Sequence, residues 1–124
     1  MGVGAGGLAI LAGLPEAEAE RIVEFNAARY GKFGAVDPQS LRAALRQSRA
    51  TGYAFLDSAA TPGTAAVGIA FPPENPIAAI SVAAISSRLG PERRLAVAAI
   101  IRKQVDVLCG LLRKRLEADG NGLP

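Results

Sequence analysis

Hydrophobic and polar positions follow two different periods along this chain, and the switch between them separates helical ends from a β centre. Leu8-Ala9-Ile10-Leu11-Ala12 reads as a short helix entered from glycine-rich backbone. Pro15 suits a first helical position, with Glu16, Glu18 and Glu20 at the positive end of the helix dipole. Ile22, Val23 and residues 25–30 supply its apolar content before Gly31 and Gly34 break it. Asp37-Pro38 is an N-cap followed by proline at N1, opening a helix to about residue 50 with Leu41, Ala44, Leu45 and Ser48 inward. Arg42, Arg46 and Arg49 form one stripe on it, expected to be a solvated face. Residues 51–56, 64–71 and 77–85 read as strands, the last two joined through Pro72-Pro73-Glu74-Asn75-Pro76 as a hairpin. From Pro91 to about residue 117, Leu95, Ala98, Ile101, Val105, Leu108, Leu112 and Leu116 recur at helical spacing. Residues 119–124 read as a frayed tail, leaving one domain over residues 1–118.

Strand parity makes the hairpin the most informative segment. Side chains alternate faces, so Ala65, Val67, Ile69 and Phe71 share one face and Ala66, Gly68 and Ala70 the other. Matching small residues with small and large with large pairs Gly68 with Ser81, Val67 with Val82 and Ile69 with Ile80. One face is then bulky and should pack on helices. The other is nearly bare, with the Ser81 hydroxyl at its centre. Two explanations stand for the bare face: an element such as a helix approaches closely, or a cavity there holds a ligand.

Composition narrows the chemistry. The chain has 124 residues and 12.7 kDa, a net charge of +3, a pI of about 9.5 and a mean hydropathy of +0.25. Such values exclude a disordered or acidic tail protein, and the basic excess falls short of a nucleic-acid footprint. There is no histidine and a single cysteine, so the commonest general base and the multi-cysteine metal sites are missing. Cys109 lies near the last helix's apolar stripe and reads as a core residue. Catalysis is the weakest functional class: Ser81 has no histidine or evident lysine base nearby, and Asp57 has no partner carboxylate in view. No metal or cofactor is expected. The apolar stretch of residues 2–14 is too short to span a bilayer and lacks the basic flank of a signal peptide, so a cytoplasmic protein without membrane contact is expected.

Gly2, Gly4 and Gly7 satisfy G-x-G-x-x-G, but the dinucleotide reading requires a preceding strand and only Met1 precedes them. What survives is a helix start whose free N–H groups suit a carboxylate, or simply a tight backbone crossing that needs small residues.

The series Gly2-Val3-Gly4-Ala5-Gly6-Gly7-Leu8-Ala9-Ile10-Leu11-Ala12-Gly13-Leu14-Pro15, Thr51-Gly52-Tyr53-Ala54, Gly68-Ile69-Ala70-Phe71, Ala78-Ala79-Ile80-Ser81-Val82-Ala83 and Ser87-Arg88-Leu89 resembles the C-terminal effector-binding domain of the IclR family. That family joins an N-terminal winged helix-turn-helix to a GAF-like sensor. The resemblance therefore implies an α+β fold, an antiparallel sheet flanked by helices, corresponding to the C-terminal two-thirds of that sensor. It implies a small-molecule sensor controlling DNA binding by the full-length regulator, with DNA reached only through an N-terminal domain that this sequence does not contain. It also implies a site: backbone N–H groups at Ala5 and Gly6, and positions that are often polar in the family at Leu56, Ala66, Ser81 and Ala83. Only Ser81 keeps its polarity, so an aromatic carboxylate fits better than a small polar acid. These positions fall on the bare face, which favours the cavity explanation. The family's opening strands are not in this sequence, so an uncovered sheet edge and homo-oligomers are expected. The competing function is a self-associating structural or interaction module with no ligand.

Overall fold

A computed structural model of the chain describes residues 4–30, 37–58 and 62–121. Gly2, Gly31 and Gly34, each used in the sequence reading, lie outside the described residues. So do residues 122–124 of the expected tail, whose first three residues, 119–121, belong instead to the last helix. Helices α1 (Ala5–Gly13), α2 (Glu16–Phe25), α3 (Ala27–Tyr30) and α4 (Pro38–Thr51) precede strands β1 (Ala54–Asp57), β2 (Thr64–Phe71) and β3 (Ala78–Ile85). A 3₁₀ turn (Ser86–Arg88) then leads into the long α5 (Pro91–Asn121). The fold is α+β, with one antiparallel sheet in the order β1-β2-β3.

The hairpin register is the one that size matching requires. Gly68 pairs with Ser81, Val67 with Val82 and Ile69 with Ile80. A slip of one residue would have turned Val67 and Ile69 out of the core. Beneath the bulky face, α5 packs Ala98, Ile101 and Val105 against Val67, Ile69 and Phe71, with Cys109 and Leu108 half-buried at the margin. Above the bare face lies a second core, built from Leu8 and Leu11 of α1, Ala19 and Val23 of α2, Leu41 and Leu45 of α4, and Ala54. The molecule is therefore three layers deep, with the sheet in the middle.

Several boundaries depart from the pattern, each for a local reason. β1 begins at Ala54 rather than at residue 51, because Thr51 is still the last residue of α4 and Gly52 its C-cap. Gly52 holds φ of 84° and donates its N–H to the Ser48 carbonyl at 2.9 Å. Pro15 is the N-cap of α2 rather than its first helical residue. Residues 26–30 do not continue α2: Asn26 interrupts it, donating Nδ2 to the Ile22 carbonyl at 2.9 Å, and Phe25, the last residue of α2, is 87% exposed. Asp37 caps α4 as expected, accepting the Ser40 N–H at 2.9 Å. That bond and the Ser40 hydroxyl hold the Asp37 carboxyl below its usual range.

The apolar stripe of α5 is only partly used. Ala98, Ile101 and Val105 are buried, whereas Leu95, Leu112 and Leu116 are exposed. Length accounts for Leu112 and Leu116, since a helix of 31 residues runs about 46 Å against about 27 Å for an eight-residue strand. At Leu95 it is the neighbouring Arg94 that takes the sheet-facing position, over the Phe55 ring. The arginine stripe of α4 is also not wholly solvated. Arg42 pairs with Glu20 of α2 through Nε at 2.8 Å, and Arg49 donates Nε to the Ala12 carbonyl at 3.3 Å, so both tie α4 to its neighbours. Arg46 is exposed, as expected of that stripe.

Candidate functional site

Helix α1 begins without a side-chain cap. Gly4 is its N-cap in extended backbone, and the first intrahelical bond runs from the Leu8 N–H to the Gly4 carbonyl at 2.9 Å. The amides of Ala5, Gly6 and Gly7 therefore have no partner within the helix. This first turn is pressed directly onto the bare sheet face. A Cβ placed on Gly68 would lie 2.7 Å from the Ala5 carbonyl oxygen and 3.1 Å from the Gly6 nitrogen. Of the two explanations for the bare face, close approach of a helix is what occurs over Gly68.

Around that contact the structure gathers all six residues expected at the site. Ala5 and Gly6 form the turn itself. A Cβ on Gly6 would meet the Ala79 Cβ at 3.6 Å and the Ser81 Oγ at 3.9 Å, so the hydroxyl stands beside the free end of the helix. Leu56, Ala66 and Ala83 form one row across the three strands, next to the row of Ala54, Gly68 and Ser81. Ala5 is buried, Gly6, Leu56 and Ala66 are half-buried, and Ser81 and Ala83 are exposed. The geometry is a ledge of alanines with one hydroxyl and a fan of amide donors at its inner edge. None of its six residues titrates, so the ledge can hold an anion by dipoles and hydrogen bonds but has no acid or base to move a proton. Asp57, the nearest carboxylate in sequence, points off the other face at the end of β1. Hydroxyls of Ser86 and Ser58 hold it below its usual range.

Sequence reading missed a second concavity. At the opposite end of α1 a cleft of about 280 Å³ is lined by Ala12 and Gly13, by Tyr53, Pro73 and Pro76, and by Arg49 and Arg102. Its residues come from five segments far apart in the chain, so no motif announces it. Among the described residues no group of His, Cys, Asp and Glu could hold a metal ion, and no helix is long and apolar enough to cross a membrane.

The fold is an antiparallel sheet between two helical layers, with the first turn of α1 pressed onto its small-residue face. The family follows from the sequence match: residues 3–109 fit the family described as bacterial transcriptional regulator IclR C-terminal, and the chain belongs to it. Solved structures agree on the fold. The Thermotoga maritima IclR superposes with a TM-score of 0.74 at 21% identity, over 85% of this chain and 44% of its own. An IclR family transcriptional regulator from Brucella abortus gives 0.72 at 19%, over 89% and 43%, and the Agobacterium tumefaciens repressor BlcR gives 0.67 at 20%, over 84% and 44%. The chain thus spans less than half the length of these relatives. No curated protein matches it. Family and fold are those of transcription regulators, which are not enzymes.

Proposed function

We propose that this chain is the effector-sensing part of a cytoplasmic transcriptional regulator, binding a small organic acid on the ledge and thereby controlling DNA binding by the full-length protein. One observation carries the reading: the unpartnered amides of Ala5 and Gly6 converge with the Ser81 hydroxyl on an otherwise apolar face. A carboxylate suits this arrangement, one oxygen taking the helix N–H groups and the other the hydroxyl. The alanines at 66 and 83 leave room for the flat apolar body of an aromatic acid.

Calorimetric titration of aromatic carboxylates against the parent and two variants tests this. A hydrogen bond to a charged group contributes about 1.5–3 kcal/mol, so Ser81→Ala should weaken binding roughly ten- to a hundredfold. Ala66→Phe should abolish it by filling the ledge. Equal affinity in all three proteins would place the ligand elsewhere and leave the face as a packing surface.

A second reading, a self-associating module without ligand, is favoured by β3. This outer strand has eight residues, no charge and no proline, and exposes Ser81, Val82, Ala83 and Ile85. Self-association is compatible with sensing; it replaces it only if no acid binds.

A further inference from the structure

We propose that the cleft at the C-terminal end of α1 is a second ligand site, separate from the ledge, that takes a planar aromatic carboxylate of about benzoate size. Two guanidinium groups from different helices reach it, Arg49 from α4 and Arg102 from α5. Each is held in place by one hydrogen bond to a helix-end carbonyl. Arg49 Nε donates to the Ala12 carbonyl at 3.3 Å, and Arg102 Nη2 donates to the Gly52 carbonyl at 2.5 Å. Capping those carbonyls uses one donor of the five on each guanidinium, which leaves a fork on each side for an anion. The nearest carboxylate, Glu16, lies 4.0 Å from Arg49 Nη1, is 89% exposed and does not line the cleft.

Charge and shape both select the ligand. The ends of α1 and α4 each bring about half a negative charge, and the two arginines two full positive ones, so the cleft is net positive. No acidic side chain lines it. Tyr53, Pro73, Pro76 and the alanines at 12 and 70 supply apolar wall, and the one lining hydroxyl besides Tyr53, Ser48, is already spent on the Ala44 carbonyl. At about 280 Å³ the space lies at the small end of ligand sites, which suits a single ring bearing one carboxylate. The cleft adjoins the ledge at Ala54 and Gly68, in the strand row of Ser81, but contains none of the six ledge residues, and its two arginines stand at the far end of α1.

Benzoate titrated into isotopically labelled protein, followed by amide chemical shifts, tests the proposal. Binding here should move the resonances of Gly13, Gly52 and Tyr53. Arg102→Gln and Arg49→Gln should each weaken that response roughly tenfold. Ser81→Ala, which tests the ledge, should leave it unchanged. Arg102→Lys keeps the charge but not the fork and should fall between parent and Arg102→Gln. Arg102 is exposed on the surface of α5, so its variants should fold as the parent does. Benzoate shifts confined to Ala5, Gly6 and Ser81 would overturn the cleft and leave the ledge standing. Shifts at Gly52 and Tyr53 that survive both Gln variants, or that inorganic phosphate reproduces at equal affinity, would overturn it as well.

Discussion

At the scale of single residues, Gly68 bears the tightest constraint. Its missing side chain is what lets the first turn of α1 lie on the sheet, because the atom a Cβ would strike at 2.7 Å is backbone and cannot swing away. Gly68→Ala should therefore cost about 1–3 kcal/mol, the usual penalty for forcing atoms into a packed contact. Thermal unfolding should register this as a fall of several degrees, and an unchanged Tm would mean that α1 moves freely. Ser81→Ala should leave the Tm unaltered, since its hydroxyl is exposed. The two capping aspartates act through pH. Asp37 and Asp57 titrate below their usual range in the folded chain, so over that interval the unfolded state binds more protons. Their contribution is present at neutral pH and lost as the pH falls through the lowered values. Urea midpoints of Asp37→Asn and Asp57→Asn should accordingly lie below the parent at pH 7, and the gap should close as the pH falls below the usual aspartate range. A gap that stays constant with pH would refute the linkage.

Elements of equal periodicity differ in what they contribute. α1 is apolar on every side, and Leu8 and Leu11 have no exposed surface, because the helix is enclosed by the sheet, α2 and α4. α5 shows the converse: one stripe of its residues passes from core to solvent where the sheet ends. Leu11→Ala and Ile101→Ala should each cost about 2–5 kcal/mol. Leu116→Ala, on the same stripe as Ile101 but 70% exposed, should change stability by less than about 0.5 kcal/mol. Denaturant unfolding of the three variants measures this; a comparable loss at Leu116 would mean that the last turns of α5 are covered in solution. Arg94 adds a link between α5 and the sheet, lying 3.6 Å above the centre of the Phe55 ring.

For the molecule as a whole, the sheet is closed by helices on both faces and left open along β3. Among the described residues no strand pairs with that edge, and it carries none of the charges or prolines that keep edges apart. Light scattering at micromolar concentration should find dimers or larger species. Val82→Lys should shift the population toward monomer by placing a charge on the edge, and a parent that stays monomeric would refute edge pairing. Much of the architecture was legible beforehand. Residue size across the hairpin pointed to the register, because matching large with large and small with small pairs Val67 with Val82, Gly68 with Ser81 and Ile69 with Ile80. Asp37-Pro38 marked the start of α4 through its capping chemistry. Of the six residues that resemblance and parity put forward, Ala5 and Gly6 lie in the first turn of α1 and the other four on the sheet face below it. The cleft between Arg49 and Arg102 was not legible, since residues 53 positions apart share no local signal.

Local chemistry and alternation, then, were enough to place the three strands to within a few residues, to pair the hairpin and to mark the start of α4, because each depends on neighbours in sequence or on a period. What covers each face was decided only in three dimensions. The bare side of β2 was compatible with a helix or with a void, and the choice was made by how closely the first turn of α1 could approach Gly68. The stripe on α5 was compatible with burial throughout, and the finite length of the sheet left Leu112 and Leu116 in solvent. Periodicity states which side of an element is apolar; the size and position of the neighbouring element state how much of that side leaves water.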